Sequence, residues 1–133
     1  MIKFKKITPL YSKLVTTMDM YEEPQYVDGI IDSTKSVGAV KELQQVVSVG
    51  GSVPAAIKEG KYVCINPARF AVKKHKDGSL KDGIITDNPV LTYNFPVIYL
   101  NNTPHLLLDV MDIDFVVDDF AEEPDTETDV IVN

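Results

Sequence analysis

Few side chains in this sequence are suited to covalent or acid–base chemistry, and their spacing does not bring them together. There is one cysteine, Cys64, and there are two histidines, His75 and His105. Cys64 lies inside Tyr62-Val63-Cys64-Ile65, a β-like run in which a thiol packs as a small, buried apolar group. A nucleophile needs a base within hydrogen-bond reach. His75 sits among Lys73, Lys74 and Lys76 beside a turn, and His105 follows a turn and precedes three leucines, so only the fold could create a Cys64–His pairing. No His or Cys pair has the spacing of zinc ligands. Asp109, Asp112 and Asp114 cluster as calcium ligands do, but they lack the loop pattern of an EF-hand. Read with the apolar residues between them, they describe a strand with one wet face. Gly50-Gly51 is a turn rather than a phosphate cradle. The expectation is a protein that is not an enzyme and needs no cofactor or metal.

The rest of the chain is built for strands and turns. With 133 residues, 44% apolar and 25% charged, it is the size of one folded domain. Its net charge of −7 is uneven, because ten of the twenty acidic residues lie from Asp109 onward with no Lys or Arg among them. That tail repels nucleic acid, and the body has no basic excess to compensate. No apolar run approaches the length of a membrane span. The N-terminus alternates apolar and basic residues where a signal peptide has a continuous apolar core, so a cytoplasmic location is expected.

Lys13-Leu14-Val15-Thr16-Thr17-Met18, Lys41-Glu42-Leu43-Gln44-Gln45-Val46-Val47-Ser48-Val49 and Lys61-Tyr62-Val63-Cys64-Ile65 read as strands. So do Phe70-Ala71-Val72-Lys73, Ile84-Ile85-Thr86, Val90-Leu91-Thr92-Tyr93, Val97-Ile98-Tyr99-Leu100, His105-Leu106-Leu107-Leu108 and a last run to Val117. Asp77-Gly78 and Asn101-Asn102 mark turns between them. No amphipathic helix and no repeat is evident, and many short strands with Gly and Pro turns indicate a small all-β barrel or sandwich. Residues 1–118 make the domain. Within it, 19–38 form a long irregular loop carrying the apolar island Val27-Asp28-Gly29-Ile30-Ile31. The acidic tail, 119–133, is flexible in this reading.

The order of these segments resembles the GroES-like co-chaperonins. Ile7-Thr8-Pro9-Leu10 with Leu14-Val15 stands where that family has its first strand, and Gly29-Ile30-Ile31 where it has the apolar tripeptide of a mobile loop. Gln45-Val46-Val47-Ser48-Val49-Gly50 and Ile57-Lys58-Glu59-Gly60-Lys61-Tyr62-Val63 match its next two segments, and the stretch from Leu106 to Val117 resembles its ending. The resemblance covers roughly residues 7–72 and 98–117. Four departures accompany it, one being Lys61 where the family usually has aspartate. Only residues 50–56 stand where the family has a roof hairpin, as in some phage-encoded relatives. Residues 73–96 are an insertion, and Asp32 replaces the last apolar residue of the loop motif.

The resemblance implies a GroES-like β-barrel that assembles into a ring, usually of seven subunits, and caps a chaperonin (GroEL-like) cylinder to assist protein folding. Val27, Gly29, Ile30 and Ile31 would form the chaperonin-binding loop. Ile2, Phe4 and Ile7 of one subunit would meet Ile113, Phe115 and Val117 of the next. The missing roof hairpin, the insertion and Asp32 fit an alternative, a virion structural or capsid decoration protein on the same barrel.

Overall fold

The apolar and β-branched runs become strands, and the turns between them fall at residues that tolerate a left-handed backbone. The computed structural model describes residues 1–32, 35, 37–74, 80–81, 84–85 and 90–122. The chain forms β1 (Lys13–Thr17), β2 (Tyr26–Val27), β3 (Ile30–Ile31), β4 (Leu43–Val49), β5 (Tyr62–Ile65) and β6 (Ala71–Lys74). There follow β7 (Leu80–Lys81), β8 (Ile84–Ile85), β9 (Val90–Tyr93), β10 (Val97–Leu100), β11 (Thr103–Asp109) and β12 (Ile113–Val117). Short 3-10 turns lie at Pro67–Phe70 and Val110–Asp112. Among the described residues no helix is long and apolar enough to cross a membrane.

Six strands make one sheet in the order β10-β11-β1-β4-β5-β12, every neighbouring pair antiparallel. Leu14, Val46, Val63, Ile65, Leu106 and Leu108 form the core cluster, joined by Ile57 from the connector after β4 and by Phe70. The β10–β11 hairpin turns at Asn101 and Asn102, with φ of 51° and 64°. This two-residue geometry matches the strand twist, and Asn accepts it more readily than branched residues do. Pro104 is tolerated in β11 because pairing with β1 begins only at His105.

The all-β expectation holds, but the sheet is not closed into a barrel. Closure would require β10 and β12 to pair. Instead the outer edge of β10 is met by the N-terminal segment, through a Phe4–Leu100 bridge and the Asn101 N–H donated to the Phe4 carbonyl at 2.9 Å. The inserted region forms a ribbon, β6 against β9 from Ala71↔Tyr93 to Lys74↔Val90, with β7 paired to β8. Phe70 and Phe95 pack at its base with ring centres 5.2 Å apart. The Asp77-Gly78 turn, His75 and residues 123–133 of the acidic tail lie outside the described residues.

Candidate functional site

The described residues of 19–41 fold back on themselves as an arm. At its root Met20 bridges Val40, the Tyr21 N–H donates to the Ala39 carbonyl (2.9 Å) and the Gly38 N–H to the Tyr21 carbonyl (2.8 Å). The fully buried Gln44 of β4 clamps this root. Its carboxamide oxygen accepts from the Thr17 hydroxyl (2.8 Å) and the Asp19 N–H (2.9 Å), while its nitrogen donates to the Asp19 and Lys41 carbonyls. All four capacities of the amide are used, which removes the cost of burying it.

At the far end β2 and β3 pair as a hairpin, Val27 opposite Ile30 and Tyr26 opposite Ile31. Asp28 and Gly29 take φ of 53° and 80°, the geometry of a two-residue turn that Asp-Gly favours. The sequence shows no strand period here because two-residue strands are too short to display one. The Asp-Gly pair between apolar dipeptides is the signal that identifies them. Val27, Ile30 and Ile31 are 56%, 72% and 57% exposed. Alternation puts Val27 and Ile30 on one face of the hairpin and Ile31 on the other with Tyr26. The three apolar residues therefore flank the ribbon rather than form one patch. Asp32, next to Ile31, continues the ladder by donating its N–H to the Gln25 carbonyl (2.8 Å).

The two sheet edges differ. Ile2 and Phe4 are exposed beside β10, and Ile7 is half-buried. Along β12 a bulge between Ile113 and Phe115 breaks the simple alternation. Ile113 and Val116 pack against the core, Phe115 is exposed, and Val117 is half-buried opposite Tyr62. No described strand bonds to the outer side of β12. Just beyond it, Phe120 sets its ring edge-on to Tyr62 at 5.0 Å.

The chemistry-bearing side chains are dispersed. Cys64 is half-buried rather than fully enclosed; burial, then the nearby charges of Glu42 and Asp114, pushes its thiol up. His105 lies on β11, separated from β5 by β1 and β4, which is about 14 Å at the usual inter-strand spacing. Its Nδ1 sits 2.9 Å from the Thr103 carbonyl.

Of the three clustered carboxylates, Asp112 is 3% exposed rather than on a wet face. It caps the turn after β11 together with Asp109, and accepts two hydrogen bonds from Arg69 (2.8 and 2.6 Å). Asp109 accepts from the Met111 N–H and the Ser12 hydroxyl, which hold its carboxyl below the ordinary range. Asp114 is exposed on β12. Nothing in the sequence around Arg69 marks it, since it meets Asp112 across 43 residues. Among the described residues no three His, Cys, Asp or Glu side chains are grouped to hold a metal. Comparison with protein-family models and with curated proteins found no match to this chain.

Proposed function

We propose that this protein is a non-catalytic co-chaperonin subunit of the GroES-like type, which assembles into a ring and captures a chaperonin through the apolar tip of its arm. The observation that carries this reading is the exposure of Val27, Ile30 and Ile31 on a hairpin at the end of a hydrogen-bonded arm. Such a hairpin has no core of its own, and burial of each Ile in a partner is worth about 1.5–3 kcal/mol. Ordering costs cancel much of that for a single tip. A ring, with the seven subunits usual in the family, binds firmly through effective concentration and still releases when the partner rearranges.

Assembly has a matching route. The two edges, Phe4 with β10 and Phe115 on β12, lie at opposite ends of one sheet. Joining one to the other in the next subunit is a head-to-tail contact that closes a ring. In this reading the open sheet is the wall of a GroES-like barrel completed in the assembly, and the protein acts in the cytoplasm of its cell or host.

Ile30→Asp and Ile31→Asp are each expected to abolish co-sedimentation with a nucleotide-loaded chaperonin, since a buried unpaired charge costs more than the contact gains. Capture undiminished in both variants would overturn the assignment. A native mass of several chains is expected for the isolated protein, and a monomer at micromolar concentration would refute the ring.

A second reading, a virion structural or decoration protein, is favoured by the β6–β9 ribbon and the short 50–61 connector, which give the outer surface features a cap does not need. Recovery of the chain in purified virions without chaperonin capture would select it.

A further inference from the structure

Beyond the Gln44 clamp, the arm meets the body at a second polar point. The Glu42 carboxylate accepts a hydrogen bond from the Tyr21 hydroxyl at 2.8 Å and pairs with the Lys35 ammonium at 3.2 Å. Tyr21 belongs to the outgoing limb, Lys35 to the returning limb, and Glu42 to the body one residue before β4. One carboxylate therefore ties both limbs to the sheet. The Lys41 ammonium lies over the other side of the arrangement, 5.7 Å from the centre of the Tyr21 ring. Beside the arm root runs a groove of about 990 Å³, lined by Met20, Val37, Val40 and Phe95 together with the charged Lys35 and Glu42. Packing thus leaves space beside the arm, and the polar contacts hold its direction.

We propose that Tyr21, Glu42 and Lys35 form a latch that sets the angle of the arm and so positions the apolar tip for capture. This rests on the arm being the capture element. Tyr21 lies five residues before β2 and Lys35 follows β3, so the latch residues lie outside the tip hairpin itself. Its effect is to restrict the directions the tip explores before binding, which lowers the entropy lost on capture. The protonation states suit a permanent latch at neutral pH. Burial alone would raise the Glu42 carboxyl, but hydrogen bonds from Tyr21, from its own backbone and from Lys35 outweigh it and hold the carboxyl below its ordinary value. Burial and the Glu42 hydrogen bond push the Tyr21 phenol up, so it remains a donor.

The test is amide hydrogen exchange on the isolated protein, paired with chaperonin capture. The N–H groups of residues 21 and 38 report the root through their bonds to Ala39 and Tyr21, and that of Val46, bonded to the Lys61 carbonyl, reports the body. Tyr21→Phe keeps the ring and is expected to speed exchange at residues 21 and 38 about tenfold while leaving Val46 unchanged. Lys35→Met is expected to do the same more weakly. Both variants should bind a nucleotide-loaded chaperonin about three- to tenfold less tightly. Unchanged exchange in Tyr21→Phe would overturn the latch. Faster exchange with undiminished capture would overturn its positioning role. A wild-type protein that no chaperonin captures defeats the functional reading instead, and the exchange data still decide whether the latch exists.

Discussion

Gly50→Ala is expected to destabilise the protein by about 3 kcal/mol, whereas Gly51→Ala, one residue later, leaves stability within about 1 kcal/mol or raises it. A methyl group on Gly50 would stand 2.3 Å from the Tyr11 carbonyl oxygen and 2.8 Å from the Leu10 carbonyl carbon. Both are backbone atoms, so no side chain can swing away. Nor is the backbone free to retreat. The Gly50 N–H donates to the Lys13 carbonyl (2.8 Å), the Ser52 N–H to the Tyr11 carbonyl (3.0 Å), and the Lys13 N–H to the Leu10 carbonyl (3.1 Å). Tyr11 is itself held at φ 57°. Relief of the clash therefore costs hydrogen bonds at the start of β1, the strand at the centre of the sheet. Around Gly51 a methyl group meets nothing within 4 Å. Urea unfolding of the two variants separates the cases: a large fall in midpoint for Gly50→Ala alone, with equal slopes. Equal midpoints would mean that Gly50 does not approach the Leu10 and Tyr11 backbone this closely.

Gln44→Leu is expected to cost about 2–4 kcal/mol and to free the arm at its root. The substitution retains bulk but strands the Thr17 hydroxyl, the Asp19 N–H and the Asp19 and Lys41 carbonyls, all bonded to Gln44 in the native protein. These partners are only partly buried, so water replaces some of the lost bonds and keeps the total below the sum of four full penalties. Gln44→Glu is the sharper variant. An ionised carboxylate there would face the Asp19 and Lys41 carbonyls, so its folded-state pKa must rise above that of the unfolded chain. Such a group is least harmful below the unfolded value and increasingly destabilising as pH rises through and above it. The Gln44→Glu penalty relative to wild type is therefore expected to be larger at pH 7 than near about pH 4. A penalty independent of pH would show that the carboxylate escapes to solvent and that the clamp is looser than its geometry indicates.

How much of this is legible in the sequence depends on how local the cause is. Leu14, Val46, Val63, Leu106 and Leu108 announce their strands as members of short apolar and β-branched runs bounded by turns, and each occupies the core. Asn101-Asn102 announce a turn because few residues accept positive φ, whereas Asp28-Gly29, read within an irregular loop, prove to be the turn of a hairpin. The bulge in β12 leaves no such mark: Ile113, Phe115 and Val117 alternate as letters, yet an extra residue in the strand turns Ile113 to the core and Phe115 to the outside. The acidic run from Asp109 likewise reads as a wet strand. Arg69, distant in sequence and itself exposed, instead pairs with an Asp112 that is buried.

The sequence by itself determined an all-β chain without an evident catalytic grouping, because strand patterning and side-chain chemistry are properties of neighbouring residues. The tertiary structure decided what holds the arm and which edges stay open. Gln44 closes the root only because strand order brings it to Asp19, 25 residues away, and Glu42 ties both limbs only because the arm folds back upon β4. The partners of a buried amide or a latched carboxylate are set by strand pairing, and no local pattern of residues encodes that pairing.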